Sequence, residues 1–157
     1  MDIKTRKLVL RMMTYGVYIL TSKKDNSYIA STVTWVSQSS FKPPLLIVCL
    51  KKDTITHDIV KESGRFILHI LNEDQKEIAS NFIKHTIHKG GKLNGYKYTL
   101  INELPVITSI PAYIECNIKK YINLGDHPLF IAEITNIKLI SLDNPLELRK
   151  TGWYYGG

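Results

Sequence analysis

This sequence of 157 residues lacks long apolar runs, blocks of like charge and any stretch rich in a few residue types. No segment approaches the roughly 20 apolar residues that a membrane-spanning helix needs. The leading residues, MDIKTRKLVLRMMTYG, carry too many charges and too short an apolar part for a secretory signal. We therefore expect a cytoplasmic protein without a membrane partner.

Cysteine is scarce, and several familiar motifs are missing. Cys49 and Cys116 are the two cysteines, and neither lies in a C-x-x-C pair, so we expect small buried thiols in a reducing compartment. No second histidine or acid lies at ligand spacing from His127, so no metal centre is predicted. The sequence has no G-x-G-x-x-G, P-loop or G-x-S-x-G motif, which excludes a Rossmann dinucleotide site in its usual form and gives no support to a serine triad.

The charge balance is positive but dispersed. Lys and Arg number 21 against 14 Asp and Glu, which gives a formal net charge of +7. Because the basic residues occur singly and in pairs, a nucleic-acid partner is not expected, and phosphorylated small molecules suit the charge equally well. One alternative stays open, a basic barrel that binds single-stranded nucleic acid through Tyr96-Lys97-Tyr98 and Lys119-Lys120-Tyr121. That alternative leaves the hydroxyl residues around Trp35 unexplained.

The pattern of apolar residues predicts a mainly β protein. Six or so strands with short helices at the edges indicate a closed antiparallel barrel, in one domain over residues 1–157. Residues 84–111 show weak periodicity, and we expect a long excursion that forms a flap over a pocket or lies at a subunit contact. Strands are predicted at 17–22, from 28 onward, and at 45–50, 65–71, 112–124 and 129–140. Helices are predicted at 4–13, at 57–62 after a cap at Thr54 or Thr56, and at 72–83 after a cap at Asn72. The strand at 45–50 is expected to be buried on both faces because it is continuously apolar.

The most informative segment is Ala30–Thr56. Polar side chains surround Trp35 before the Pro43-Pro44 turn: Ser31, Thr32, Thr34, Ser37, Gln38, Ser39 and Ser40. An aromatic ring beside hydroxyl donors on a strand suits a flat heterocycle. Lys51-Lys52-Asp53-Thr54 then precedes a helix whose N-terminus can hold a phosphate. A planar phosphorylated cofactor laid along a strand edge is predicted, and flavin mononucleotide (FMN) fits best. A solvated strand face and a capped loop remain the plain alternatives.

The residues resemble the flavin reductase-like domain family, with its FMN-binding split β-barrel. This family includes the small reductase components of two-component flavin monooxygenases and flavoredoxin-like proteins. The most specific match is Gly125–Ile131, GDHPLFI, which is similar to the family's G-D-H-x-L-F-I motif. Further similar segments are Arg11–Val17, Ala30–Pro44, Lys51–Thr54, Asn72–Phe82 and the closing aromatic segment Trp153–Tyr155.

The resemblance implies a fold, a reaction and partners. The fold would be a six-stranded antiparallel split β-barrel (Greek key) with short flanking α-helices. The reaction would be NAD(P)H-dependent flavin reduction, with hydride passing from NADH or NADPH to FMN, and FAD possible in its place. The alternative is a flavoredoxin-like carrier that holds FMN without oxidising NAD(P)H. A homodimer is implied, with a monooxygenase or another electron acceptor as partner.

The resemblance also assigns roles to residues. His127 would be the catalytic residue, standing near the ring face where the nicotinamide docks and positioning it without transferring protons. Two departures affect the ring contacts, because Thr34 stands where the family often has a small residue or Asn, and Lys51 replaces the usual Asn. Ring and ribityl contacts would come from Thr32, Val33, Thr34, Trp35, Gln38 and Ser39. Contacts to the ribityl or phosphate end would come from Ser40, Lys51, Lys52 and Thr54. The pocket would be closed by Ser80, Asn81 and Phe82, and further cofactor contacts would come from His127 and Tyr155.

Overall fold

The computed structural model describes all 157 residues and is built mainly from antiparallel strands. The helices are α1 (Ile3–Leu10), α2 (Ile55–Ser63), α3 (Lys76–Asn81) and α4 (Leu148–Thr151). The first seven strands are β1 (Tyr18–Lys24), β2 (Ser27–Val33), β3 (Val36–Ser40), β4 (Leu45–Cys49), β5 (Arg65–Ile70), β6 (His88–Lys89) and β7 (Lys92–Leu93). The last four are β8 (Tyr96–Ile101), β9 (Leu104–Ile107), β10 (Ala112–Ile122) and β11 (Leu129–Leu139). None of the helices has the length and apolar character needed to cross a bilayer.

The main sheet has seven strands in the order β2-β1-β5-β10-β11-β4-β3, and every neighbouring pair is antiparallel. Its two edge strands, β2 and β3, are consecutive in the chain and are joined by only Thr34 and Trp35. Such a link spans at most about 11 Å between the ends of the strands. The two edges of the sheet must therefore meet at this link, and the sheet curves into a barrel. The predicted mainly β antiparallel fold is confirmed, with seven strands in the main sheet rather than six.

The interior of this barrel is filled by side chains. A cluster of 12 buried residues draws members from every strand of the main sheet except β3, and from α2. Phe66, Leu68 and Phe130 are among its largest members, and each is at least 99% buried. Side chains along a strand alternate between the two faces of the sheet. The neighbouring residues Ile19 and Ile67 therefore belong to other clusters, on the opposite face. Because the interior is packed, a ligand must bind at the rim or along the outside of the barrel.

The expected long excursion at residues 84–111 contains a second sheet, formed by the four strands between His88 and Ile107. The order of this sheet is β6-β7-β8-β9, and its strands are joined by tight turns. Leu93, Leu104 and Ile107 are almost completely buried, which makes the segment part of the core rather than a flap. Two of the strands have only two residues each, too few to show a periodic pattern in the sequence.

Helix α2 follows the predicted signals at both ends. The Thr54 hydroxyl oxygen accepts a hydrogen bond from the backbone N–H of His57 at 3.2 Å, which caps the helix. Gly64 ends it in the left-handed conformation, with φ of 69°. Thr54 is therefore confirmed as the cap, and the helix is slightly longer than the predicted span.

Helix α3 starts later than predicted. The side-chain oxygen of Asn72 accepts from the backbone N–H of Asp74, and that of Gln75 accepts from the backbone N–H of Asn72. These local bonds shape residues 72–75 into a turn, so the helix begins at Lys76. Asn72 is not its N-cap, and the helix is confined to six residues.

Strand β4 is buried on one face only. Leu46 and Val48 are buried, whereas Leu45, Ile47 and Cys49 alternate with them and are half-buried. The prediction of a strand buried on both faces is therefore corrected. Strand β4 lies between β3 and β11, close to the link of Thr34 and Trp35 that closes the barrel.

Candidate functional site

The link between β2 and β3 carries the unusual feature of this protein. The Oγ1 atom of Thr34 and the Nε1 atom of Trp35 are the two buried side-chain polar atoms without a hydrogen-bond partner. Thr34 is only 8% exposed. Leaving a buried polar group without a partner costs about 1–3 kcal/mol, and folded proteins seldom do so without a functional reason. Two such atoms on adjacent residues indicate a place where a ligand completes the hydrogen bonding.

Trp35 packs in an aromatic group that comes from three parts of the chain. Its ring lies 4.5 Å from the ring of His127 and 5.4 Å from the ring of Tyr155, measured between centroids. The backbone of Gly156 lies so close that an added Cβ would stand 2.9 Å from Cζ2 of the indole. The segment after Trp153 therefore passes directly over Trp35.

His127 has both ring nitrogens engaged. Its Nδ1 lies 2.9 Å from a carboxylate oxygen of Asp126, and its Nε2 lies 2.6 Å from the hydroxyl of Tyr155. The hydrogen bond with His127, the charge of His127 and the nearby Lys51 hold the pKa of Asp126 below its usual range. Burial, helped by the charge of Asp126, raises the pKa of Tyr155. At neutral pH Asp126 is therefore a carboxylate and Tyr155 keeps its proton.

The loop after β4, Lys51–Thr54, lies against the turn that carries His127, and we call it the lysine loop. The backbone N–H of Lys52 donates to the carbonyl of Asp126 at 2.9 Å, and that of Leu50 donates to the carbonyl of Pro128 at 3.2 Å. These bonds bring together residues far apart in the sequence. We call this group the Trp35 cluster; it consists of Trp35, Lys51, Lys52, Asp126, His127 and Tyr155.

The N-terminus of α2 directly follows the lysine loop and adds donors suited to an anion. Thr54 donates its hydroxyl proton to the carbonyl of Lys51 at 2.8 Å, which holds the loop to the helix. The hydroxyls of Ser31 on β2 and Thr56 on α2 lie 2.5 Å apart. Lysine charge, free helix N–H groups and hydroxyls therefore occur together, as a phosphate requires.

The other predicted residues fall into two places. Thr32 donates its hydroxyl to the carbonyl of Ala79 at 2.6 Å, and its backbone N–H donates to the carbonyl of Phe82. Asn81 donates its amide to the carbonyl of Glu77 and to the hydroxyl of Tyr96. The bonds of Thr32 fasten α3 to β2, and those of Asn81 lie within α3 and reach β8. The polar groups of Thr32 and Asn81 therefore already have partners within the protein. Ser80 lies beside them and is half-buried.

Two of the predicted contact residues have side chains in the core. Val33 belongs to the barrel interior and Phe82 is 1% exposed in the second cluster, against Tyr96. The structure therefore does not bring these two side chains to the Trp35 cluster. On the edge strand β3, Gln38 and Ser39 are exposed and Ser40 is half-buried.

Asp126, Ser31 and Thr56 are additions that the sequence did not assign to the site. The only signal for Asp126 is its place between the Gly and His of the G-D-H motif. Ser31 is one of the polar residues noted around Trp35 in the sequence. Its hydrogen bond with Thr56 could not be predicted, because it depends on how α2 packs on β2. No group of three or more His, Cys, Asp or Glu side chains is arranged to hold a metal ion.

A cavity of about 680 Å³ lies elsewhere and shares no residue with the Trp35 cluster. Its lining is entirely polar and comes mainly from β10, β11 and the turn between β8 and β9. The Glu115 carboxylate in its wall accepts hydrogen bonds from the side-chain amide of Asn102 at 3.0 Å. This carboxylate already has a partner, so the cavity does not show the unmet hydrogen bonding seen at Thr34 and Trp35.

Comparison with known sequences gives a match over nearly the whole chain. The family model described as "Flavin reductase like domain" matches residues 10–156. Diflavin flavoprotein A 1 of Synechocystis sp. is 31% identical over 144 residues, which cover 89% of this chain and 25% of that protein. A ferric-chelate reductase (NAD(P)H) of Archaeoglobus fulgidus is 31% identical over 131 residues, covering 82% of this chain and 78% of that protein. This chain thus spans about a quarter of the length of the diflavin flavoproteins that it resembles.

Comparison with solved structures shows that a flavin reductase has the same fold. The flavin reductase PheA2 in its native state superposes with a TM-score of 0.80 at 26% identity, covering 100% of this chain and 99% of that one. The split-barrel architecture predicted from the sequence is therefore confirmed.

Proposed function

Because the chain belongs to the flavin reductase-like domain family, we propose that it binds FMN and transfers hydride to it from NADH or NADPH. The observation that carries this proposal is the pair of buried atoms without partners, Thr34 Oγ1 and Trp35 Nε1. Both are hydrogen-bond donors, and a flat heterocycle laid against the link between β2 and β3 would accept from them at its rim. The residues present therefore fit a flavin.

The phosphate end of the cofactor has its own binding groups. We place it at Lys51, Lys52 and the N-terminus of α2, because positive charge and free N–H groups coincide there. Gln38, Ser39 and Ser40 on the edge strand β3 are accessible to the ribityl chain or the ring. Among the predicted contacts, Thr32 holds α3 and Phe82 to β2 through its hydroxyl and its backbone N–H.

The bound flavin would supply the hydride acceptor, so the side chains need only bind, orient and exclude water. His127 fits such a role because Asp126 and Tyr155 engage both of its nitrogens. Trp35 beside it offers an apolar face that limits access of water to the ring. We therefore assign His127 to placing the nicotinamide rather than to moving a proton.

Anaerobic mixing with NADH tests this function directly. The FMN-loaded protein should lose its flavin absorbance faster than free FMN at the same NADH concentration. His127→Ala should slow this reduction and spare FMN affinity. A mutant that binds FMN more weakly, yet transfers hydride in a single turnover at the unaltered rate when FMN is saturating, would contradict the role of His127.

An electron carrier is the second candidate, and the lengths of the relatives favour considering it. In the diflavin flavoproteins the matching region is about a quarter of a longer chain, as expected of a unit that exchanges electrons with others. A rate of NADH and NADPH oxidation no higher than the free-flavin background would select this candidate.

A homodimer, an acceptor such as a monooxygenase, and a cytoplasmic location remain predictions, which size measurement and localisation would test.

A further inference from the structure

We propose that Tyr155 is a positioning residue that acts through His127 to prepare the site for the nicotinamide. The effect on nicotinamide binding rests on the proposed function. The arrangement of His127 does not, because it follows from the hydrogen bonds that join Asp126, His127 and Tyr155.

The line defines where the imidazole carries its proton. An ionised carboxylate can only accept hydrogen bonds, so Nδ1 of His127 must donate to Asp126. In the neutral ring Nε2 is then the acceptor, and the hydroxyl of Tyr155 donates to it at 2.6 Å. Since burial raises the pKa of Tyr155, this hydroxyl keeps its proton at neutral pH. Whenever its ring is neutral, His127 is therefore held in one tautomer.

The same contacts fix the orientation of the ring. Trp35 lies against it at 4.5 Å between centroids, and hydrogen bonds hold its two nitrogens from opposite sides. The side chain of His127 is 13% exposed, so part of the ring stays accessible. A reacting partner placed by a ring that cannot rotate loses less freedom on binding, which strengthens binding in the productive geometry.

Tyr155 is itself anchored from outside the barrel. Arg11, just after α1, lies 4.7 Å over the ring of Tyr154 and donates from Nε to the carbonyl of Gly156 at 3.5 Å. The residues on both sides of Tyr155 are thus tied to the same arginine. The neighbouring Tyr154 provides a matched control, because it is 71% exposed and the hydrogen bonds of His127 go to Asp126 and Tyr155 instead.

The first test uses the protein without flavin and needs no activity. Nitrogen-15 NMR of labelled histidine, assigned with His127→Asn and recorded at a pH where the ring is neutral, should show the His127 ring with the proton on Nδ1 and an accepting Nε2. Tyr155→Phe should shift the Nε2 resonance of His127, and Tyr154→Phe should leave it unchanged. A proton on Nε2, or identical spectra for Tyr155→Phe and the unaltered protein, would overturn the proposal.

The second test measures binding in the reductive half-reaction. Tyr155→Phe should raise the apparent Kd for NADH by about threefold to tenfold, the effect of one hydrogen bond, and leave the Kd for FMN unchanged. Tyr154→Phe should alter neither constant. An equal loss of FMN affinity in Tyr155→Phe would overturn the proposal, because Tyr155 would then be a flavin contact. If the unaltered protein does not oxidise NADH or NADPH, the proposed function fails, and the NMR result still decides whether Tyr155 holds His127.

Discussion

Two buried polar positions in the barrel wall differ in whether the fold completes their hydrogen bonds. His69 on β5 is 0% exposed, donates from Nδ1 to the carbonyl of Ile19 and accepts at Nε2 from the backbone N–H of Ile107, both at 3.0 Å. Thr34 and Trp35, at the closing link, each have an atom with no partner. His69 joins three strands and needs nothing more. The closing link therefore lacks the internal hydrogen-bond partners that the fold supplies to His69.

The same contrast appears between two residues of one type. Thr21 on β1 is fully buried and donates its hydroxyl to the carbonyl of Pro105 at 2.5 Å, which ties the main sheet to β9. Thr34 is almost as deeply buried and has no such acceptor. Because the side chains are identical, the two positions isolate the effect of the missing partner.

Replacing His69 should give the largest effect on stability. His69→Leu leaves the carbonyl of Ile19 and the N–H of Ile107 without partners, which should lower the free energy of unfolding by about 2–4 kcal/mol. Urea denaturation at pH 7 measures this, and FMN affinity of the folded protein should be unchanged. A loss below about 1 kcal/mol would mean that His69 is not a structural link.

Lowering the pH should weaken the same link. Burial lowers the pKa of His69 to about 4 in the folded protein, whereas an unfolded histidine titrates near 6.5. The unfolded state therefore takes up a proton first, so this contribution to stability is complete above pH 6.5 and is lost as the pH falls toward 4. Between pH 7 and pH 5 the loss should be about 2 kcal/mol. Urea denaturation at both values should show it, and His69→Leu should lack this part of the pH dependence.

Paired threonine variants sharpen the contrast. Thr21→Val removes a partnered hydroxyl and should cost about 1–2 kcal/mol of stability while leaving the Kd for FMN unchanged. Thr34→Val removes a hydroxyl without a partner, so stability should hold or rise, and the Kd for FMN should increase about tenfold. Urea denaturation and fluorescence titration measure the two quantities. If Thr34→Val destabilises the protein and binds FMN normally, the hydroxyl serves the fold and not a ligand.

The smallest effect should come from the lysine loop. Lys51→Gln removes one exposed charge from the phosphate end, which should weaken FMN binding about threefold at low ionic strength and less at high salt. Lys97→Gln, an exposed lysine on β8 outside the site, serves as the control. Equal effects of the two substitutions would show that the loop contributes only to the overall charge.

The sequence predicted the long elements well and the short ones poorly. Strands β10 and β11 have 11 residues each, long enough for apolar residues to show a pattern, and the turn between them was recognised from Gly125 and Pro128. The second sheet was missed because strands such as His88–Lys89 and Lys92–Leu93 are held by tertiary contacts rather than by a local pattern. Contacts that depend on how distant elements pack leave little trace in the sequence.

The site shows the same limit. The sequence placed Trp35, Lys51 and His127 in one site, and the structure brings them together. Val33 alternates with Thr32 and Thr34 along the chain, so its side chain lies in the barrel interior. The bond between His127 and Tyr155 joins residues 28 positions apart and has no local signal.

The central claim is that the closing link of the barrel is completed by a flavin. The most direct measurement is a titration of FMN fluorescence with the isolated protein beside Thr34→Val and Trp35→Phe, which keeps an aromatic ring but removes the indole N–H. We expect saturable quenching at micromolar protein and about tenfold weaker binding for each variant, with no loss of stability in Thr34→Val. Absence of quenching by the unaltered protein, or equal affinity in all three proteins, would contradict the claim.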